Sequence, residues 1–537
     1  MSTEFLMGNQ AIAMAAIHSG VNYVSGYPGT PSTEILETVA KNKNESTYVE
    51  WSVNEKAALE VAAGAAYSGA YTMVTMKQVG LNVASDPLMS LAYIGIKGAM
   101  VIVVADDPGP ISSQTEQDTR QFASFCKLPV FDPSSPEEAY SMVFDAFDYS
   151  NKYQTPVILR PTTRVCHGYA MIDYIEEPKT NEYEGFIKDP KWTIFPRLSY
   201  QNHIKLDDIR KTLGNEFSDY KFNFIEKGEK KAIATASVNY QYTKEALSSL
   251  NLEPSILKIS TPYPFPEKLA VEFLSSVDTV LCIEELEPVV EKELIYICGK
   301  YNLPTKIYGK LSGDMPVAGE NTTDSVKISI AKYYDIKLLE EEIIQTPELP
   351  IRPPVLCAGC PHRASFYAVK KAMKGQKAVF SGDIGCYTLG NAKPLDMVDT
   401  CLCMGAGITI AQGLNRIEPD AKNFAFVGDS TFFASGITGV VNAIYNQSNI
   451  VLIVLDNSTT AMTGHQPHPG TALTMMGEIS QKISIEKTLK ALGVEFVETV
   501  DPLDLEKAIS TVKRATETST ISAVIFKSPC IALFKNT

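Results

Sequence analysis

Positive charge is scarce in this chain. Lys and Arg number 48 against 62 Asp and Glu, a formal net charge of −14 over 537 residues. Binding to a phosphate backbone needs a basic face, so the deficit argues against a nucleic-acid partner. Long apolar runs are lacking too. The most hydrophobic stretches, such as Met100 to Ala105, are strand-length, and none approaches the roughly 20 apolar residues of a membrane span. The N-terminal Met1-Ser-Thr-Glu-Phe-Leu-Met-Gly8 has no basic stretch followed by an apolar core, so it does not read as a secretory signal. The expectation is a cytoplasmic protein with no membrane partner. Its ten cysteines should then be thiols or metal ligands rather than disulfides. Short tandem repeats and low-complexity tracts are also missing.

What is present is an alternation of helical and strand patterns. Gly8 to Ser19 reads as a helix and Tyr23 to Ser25 as a strand; Tyr71 to Met76 and Ala99 to Ala105 read as buried strands. Gly/Pro turns at Gly26–Gly29 and Asp106–Gly109 punctuate them. Such alternation implies a parallel sheet covered by helices, with ligands at the carboxyl ends of the strands, where both turns fall. The length predicts three α/β domains: residues 1–175, then a polar connector over 176–229, a smaller scaffold domain over 230–345, and a third over 350–537. In the second, Ala232 to Ala236 and Val280 to Ile283 are the strands, and no chemical constellation stands out. A linker is expected from Glu340 to Pro354. Strands of the third are Ala378 to Phe380, Phe424 to Val427, Ile450 to Leu455 and Ala523 to Phe526.

Two segments carry chemistry. Gly428-Asp429-Ser430 follows a strand, and Asn457 ends the next one. A hard octahedral cation such as Mg²⁺ takes oxygen ligands and phosphate oxygens. Asp429, the Asn457 amide oxygen and the Thr459 main-chain carbonyl could supply three, fixing a diphosphate in place. The first segment is Asn54-Glu55, opening an Ala-rich helix. A buried Glu55 beside a pyrimidine nitrogen would exchange the proton that activates thiamine diphosphate; taken alone, it could equally complement the helix dipole. Together the two segments read as the halves of a thiamine diphosphate site, with Glu55, Gly428, Asp429, Ser430, Asn457 and Thr459 as cofactor residues. The predicted fold class is thus α/β, with two thiamine diphosphate-binding-type parallel-sheet domains flanking a smaller α/β domain.

Cys357-Ala-Gly-Cys360, Cys386 and Cys530 form a third feature. Four thiolates could hold a [4Fe–4S] cluster. Cys386 and Cys530 could also be small buried hydrophobes, and a structural zinc site would more often show two C-x-x-C pairs. Cys401-Leu-Cys403 complicates the set.

Several segments, quoted in full, carry a family resemblance: Tyr27-Pro-Gly-Thr-Pro-Ser-Thr-Glu34, Glu50-Trp-Ser-Val-Asn-Glu-Lys56, Met76-Lys-Gln-Val-Gly-Leu-Asn82, Ala105-Asp-Asp-Pro-Gly109, Cys357-Ala-Gly-Cys-Pro-His-Arg363, Gly382-Asp-Ile-Gly-Cys-Tyr-Thr-Leu-Gly390, Gly428-Asp-Ser-Thr-Phe-Phe433 and Asp456-Asn-Ser-Thr-Thr-Ala-Met-Thr-Gly-His-Gln-Pro-His-Pro-Gly470. In these the chain resembles the α subunits of the 2-oxoacid:ferredoxin oxidoreductases, and among them those acting on indolepyruvate. The resemblance implies oxidative decarboxylation of an arylpyruvate with coenzyme A to arylacetyl-coenzyme A and CO₂, electrons passing to ferredoxin or another acceptor. It implies that Cys357, Cys360, Cys386 and Cys530 hold a cluster near thiamine, and that Thr30 contacts the substrate carboxylate. The middle domain is implied to be similar to the C-terminal domain of transketolases, and a smaller β subunit to complete an (αβ)₂ assembly.

Two departures stand out. The paired C-x-x-C-x-x-C-x-x-x-C-P runs that relatives commonly carry near the C-terminus are missing, so electrons are expected to leave directly from the cluster or through another subunit. Ile111 stands where many relatives have histidine, which puts substrate choice in question. His465 and His468 are candidates for proton transfer or oxoacid binding, or for hydrogen bonding within a Pro/Gly loop; Lys77 is equally open. The rival readings are a non-oxidative decarboxylase or carboligase, and an inactive subunit of a larger oxidoreductase.

Overall fold

The computed structural model describes residues 2–175, 178–338 and 349–534. The chain divides into two compact units, Met1–Ile344 and Gln345–Thr537.

The first unit carries two large sheets and a two-stranded one. Six parallel strands form the larger, in the order Tyr48–Trp51, Tyr23–Gly26, Tyr71–Lys77, Ala99–Ala105, Val157–Leu159, Val130–Phe131. Ala99–Ala105 is buried at every position, as a central strand covered on both faces must be. That is why its apolar run was legible to the residue. Tyr23–Gly26 has its successor on one side and Tyr71–Lys77 on the other, so connections leave this pair in opposite directions. The crevice at the carboxyl ends of such a pair is the usual ligand position in an open α/β sheet. There a loop opens at Tyr27, and the helix Gln78–Ile94 starts directly after Lys77.

The second sheet of this unit runs Lys306–Tyr308, Thr279–Ile283, Glu229–Ala236, Pro254–Ile259, Phe224–Glu226, all parallel except the last, which is an antiparallel edge. A buried ion pair ties the two large sheets together: Arg120 bonds Glu284 at 2.9 Å as well as Asp118 at 2.7 Å. Arg160 bonds Asp106 at 2.7 Å and Asp132 at 3.2 Å. Charges so buried are tolerated because each is paired.

Three features escaped the sequence reading. Ser2–Met7 pairs antiparallel with Tyr169–Tyr174 as a separate ribbon; its halves lie too far apart in sequence to give a hairpin signal. Within 176–229, read as a connector, Pro196–Phe217 is a 22-residue helix and Phe224–Glu226 is an edge strand. The helix buries only Leu206, Leu213 and Phe217, too few to raise a 3.6-residue period above its polar background. The third is a π-helical stretch, Phe432–Gly436. Of the linker expected from Glu340 to Pro354, residues 340–348 lie outside the described residues.

The second unit holds one sheet of five parallel strands, ordered Ala378–Ser381, Lys422–Gly428, Val451–Asp456, Ser522–Lys527, Phe496–Val500. All four expected strands are present, three of them longer by one to three residues and the third in chain order shifted by one, to Val451–Asp456. Phe424 to Val427 are fully buried, and the strand delivers Gly428 to the carboxyl edge beside the end of Val451–Asp456. Among the described residues no helix is long and apolar enough to cross a membrane.

Candidate functional site

In the first unit the site forms around the helix Glu55–Tyr67. Asn54 caps it, accepting a hydrogen bond from the Ala57 N–H at 2.8 Å. The cap fixes where the helix starts, and so where Glu55 points. Ala58, Ala62, Ala63 and Ala66 line its buried face; small side chains let it approach closely the helix Gln78–Ile94, which shares its core. Glu55 is 8% exposed, and its carboxyl group lies against Gly80. A Cβ there would fall 2.5 Å from Oε1. Burial pushes the Glu55 carboxyl from 4.5 up to about 7, with the Lys77 ammonium pulling the other way. An acid poised near neutrality is what reversible proton exchange requires. Gly80→Ala is expected to displace the carboxyl group and reduce turnover by about tenfold or more, as misplacement of a reacting group does. Steady-state kinetics with a circular-dichroism check on folding would test it.

Thr30 follows in the loop after Tyr23–Gly26. The loop is held by Gly29 N–H to Thr33 Oγ1 at 3.0 Å and by Asn9 Nδ2 to the Pro31 carbonyl at 2.6 Å. Gly29 lies over the Lys77 stem, since a Cβ would meet Lys77 Cδ at 3.0 Å. Ile111 is 57% exposed on a loop pinned by Asp107, whose Oδ2 accepts from the Ser112 N–H and the Ser113 hydroxyl, each at 2.8 Å.

In the second unit Asp429 opens a continuous helical run to Tyr445, α then π then α. A π turn inside a helix is frequent at functional positions. Asp429 is buried; its Oδ2 accepts from the Ser458 N–H at 2.8 Å and stands 3.1 Å from His468 Nε2. Burial drives its carboxyl upward, and His468 opposes the shift. The Asn457 side-chain oxygen accepts from the Thr459 N–H at 3.3 Å, and Thr460 bonds Ser430 through their hydroxyls at 3.0 Å. Gly428 is required by contact: a Cβ would come within 2.6 Å of the Tyr387 ring. Asp429, the Asn457 amide and the Thr459 carbonyl therefore share one corner of the sheet edge, an all-oxygen set that suits Mg²⁺ and diphosphate. Among the described residues no three His, Cys, Asp or Glu side chains gather into an ion site. A cation held by this corner would need only one of those types, with amide, carbonyl and phosphate oxygens as its other ligands.

All ten cysteines are free. Cys357, Cys360 and Cys530 are near enough to act on Cys386: burial lifts its thiol to about 11, and the other three each add to the shift. Cys360 in turn feels Cys357 and Cys530. The C-x-x-C loop abuts the residue after Cys530, a Gly359 Cβ being 2.7 Å from Ile531 Cδ1, while the Cys530 N–H bonds the Asn457 carbonyl at 2.9 Å. Cys360, Cys386 and Cys530 are half-buried and Cys357 is exposed; four cysteine thiolates are the ligand set of a four-iron cluster. Cys401 and Cys403 sit apart from this set; the charge they feel is that of Asp383.

The two loop histidines separate. His468 packs on Asp429, whereas His465 Nε2 stands 3.8 Å from Cys530 Sγ. Three further groups were not singled out from sequence, although all lie in the quoted motifs. His362 is buried, its imidazole driven down to about 4, with Nε2 3.3 Å from Asn457 Nδ2. Asp383 is lifted to about 7 by burial while accepting from the Gly405 N–H at 2.8 Å and the Tyr387 hydroxyl at 3.0 Å. Tyr387 fills the space that Gly428 leaves.

Comparison with known proteins defines the class. Residues 14–244 match the family described as pyruvate flavodoxin/ferredoxin oxidoreductase, thiamine diphosphate-binding, and residues 383–525 match the C-terminal binding domain of thiamine pyrophosphate enzymes. The chain is 43% identical to indolepyruvate oxidoreductase subunit IorA of Methanothermobacter thermautotrophicus, over 98% of this chain and 87% of that protein. It is 42% identical to the subunit of that name from Thermococcus kodakarensis, over 99% and 86%. With the one from Archaeoglobus fulgidus it shares 40%, over 99% and 87%. The chain belongs to this IorA family of indolepyruvate oxidoreductase subunits.

Proposed function

We propose that this chain is the thiamine diphosphate-dependent subunit of an oxidoreductase that decarboxylates indolepyruvate and related arylpyruvates to arylacetyl-coenzyme A, with electrons delivered to ferredoxin. The observation that carries the reading is a buried Glu55 with a carboxyl near neutrality in a chain about two-fifths identical to IorA proteins along almost all of its length. When bound, thiamine diphosphate supplies the electron sink for loss of CO₂, and a [4Fe–4S] cluster accepts the electrons one at a time. The residues do the rest. Glu55 holds and returns a proton at the pyrimidine ring nitrogen. Asp429, Asn457 and the Thr459 carbonyl hold Mg²⁺, and Gly428 and Ser430 admit the diphosphate. Cys357, Cys360, Cys386 and Cys530 hold the cluster. Thr30 meets the substrate carboxylate, and His465 and His468 carry protons or orient the oxoacid. A smaller β subunit completes an (αβ)₂ enzyme, and the reducing cytoplasm suits exposed thiols and a cluster.

The test is the visible spectrum of the protein purified without oxygen together with its β subunit, before and after indolepyruvate and coenzyme A. Brown absorbance that bleaches on substrate addition is the expected result. A colourless protein that still releases CO₂ would overturn the cluster assignment and leave a non-oxidative decarboxylase or carboligase. A brown protein that does not bleach would refute the coupling of cluster to substrate.

A further inference from the structure

Lys77 is a charged side chain placed where charge is costly, and its bonding is incomplete. It ends the strand Tyr71–Lys77 at the sheet's switch point and stands at the cap position of the 17-residue helix Gln78–Ile94. Cap residues normally accept hydrogen bonds from the first helical N–H groups. An ammonium cannot accept, and no side chain caps this end. The first N–H groups of the helix therefore lack a side-chain acceptor and, with the helix dipole, favour an anion.

Among the described residues the ammonium makes one hydrogen bond, to the Ser112 carbonyl at 2.7 Å; a lysine has three donors to give. Two carboxylates lie near enough to influence it, Asp107 and Glu55, yet neither forms an ion pair with it. Asp107 is already engaged by Ser112, Ser113 and Thr163. A lysine kept for internal pairing would have closed on one of them. The next residue points the same way. Gln78 is 2% exposed, and neither its side-chain oxygen nor its nitrogen has a partner. Leaving such groups buried and unpaired is costly.

We propose that Lys77, with the uncapped helix end that follows it, binds the carboxylate of the 2-oxoacid substrate. The inference rests on the 2-oxoacid oxidoreductase reading. A carboxylate fits better than a phosphate. A single ammonium donates to a carboxylate and a neighbouring oxo oxygen, which only accept, whereas a diphosphate draws a metal and a run of N–H groups. The oxygen donors Asp429 and Asn457 beside Gly428 suit that group instead. The site also joins elements already on the page: the Lys77 stem lies beneath Gly29, next to Thr30, and its ammonium acts on Glu55.

The test uses the assembled enzyme and an unreactive analogue, indole-3-lactate, against its uncharged methyl ester, by titration calorimetry. A charge-assisted bond to a half-buried ammonium predicts that the acid binds about 10- to 100-fold more tightly than the ester. In Lys77→Met this preference should shrink to within about threefold, and the KM for indolepyruvate should rise by about the same 10- to 100-fold factor with kcat less affected. Lys77→Arg should restore part of the preference. Lys77→Gln keeps much of the stem beneath Gly29 and serves as the second variant should Lys77→Met fail to fold. Retained preference for the acid in a folded variant would overturn the proposal. Absence of CO₂ release from any 2-oxoacid by the wild-type enzyme would instead overturn the reading beneath it.

Discussion

Glu55→Gln is expected to lower kcat by about 10²- to 10⁴-fold, the usual contribution of a positioned acid or base, while making the cofactor-free protein more stable at alkaline pH. The second half follows from burial. A free glutamate releases its proton near 4.5, but the folded chain holds the Glu55 proton up to about 7. The stability linked to that proton is complete below 4.5 and is lost as pH rises from 4.5 to 7. Above 7 the folded chain carries a buried carboxylate, at a cost of about 3 kcal/mol relative to the unfolded chain. Glutamine has nearly the same shape, does not titrate and escapes that cost. The variant should therefore gain up to about 3 kcal/mol at pH 8, with the gain fading towards pH 5. Denaturation midpoints of both proteins across that range would show it. A gain that does not grow with pH would mean that burial is not what lifts the Glu55 carboxyl. The result also bears on mechanism, because a group retained against stability is retained for chemistry.

How far sequence could see depended on what makes each feature. Ala99–Ala105 is a strand because every residue must be apolar when both faces are covered, and the run states this openly. Asp429 and Asn457 stand out in the sequence because strand ends, a glycine and oxygen donors occur together there. Pro196–Phe217 was not legible, because a helix that buries three residues writes almost nothing into its pattern. The ribbon of Ser2–Met7 with Tyr169–Tyr174 arises only when distant segments meet. The same holds within the site. Nothing local distinguishes Asp383 from a surface aspartate; burial beside Tyr387 and Gly405 lifts its carboxyl to about 7. His468 and His465 looked equivalent, and tertiary structure gave one to Asp429 and the other to Cys530. Gly80 carried no signal until the Glu55 carboxyl was found against it.

Asp429→Asn is expected to weaken thiamine diphosphate binding in the presence of Mg²⁺ by about 100-fold or more, the loss that follows when a hard cation gives up its only anionic protein ligand. The substitution changes little else. Asparagine keeps the volume, and its side-chain oxygen can still accept from the Ser458 N–H that now bonds Oδ2 at 2.8 Å. What it removes is the negative charge. In the cofactor-free protein that charge lies buried beside His468, and burial works against it. Without the cation the aspartate thus contributes little to folding, and the variant should fold as well as the wild type. Removing Mg²⁺ with a chelator should bring the wild type down to the affinity of the variant, while leaving the variant itself nearly unchanged. Equilibrium binding of the cofactor, with and without Mg²⁺, reads this directly and needs no turnover. If Asp429→Asn bound the cofactor as tightly as the wild type, the metal would have to be held elsewhere, and the corner formed by Gly428, Asn457 and Thr459 would lose its assignment. If both proteins bound equally well without Mg²⁺, the diphosphate would be held by N–H groups alone, and Asp429 would be left as the partner of His468.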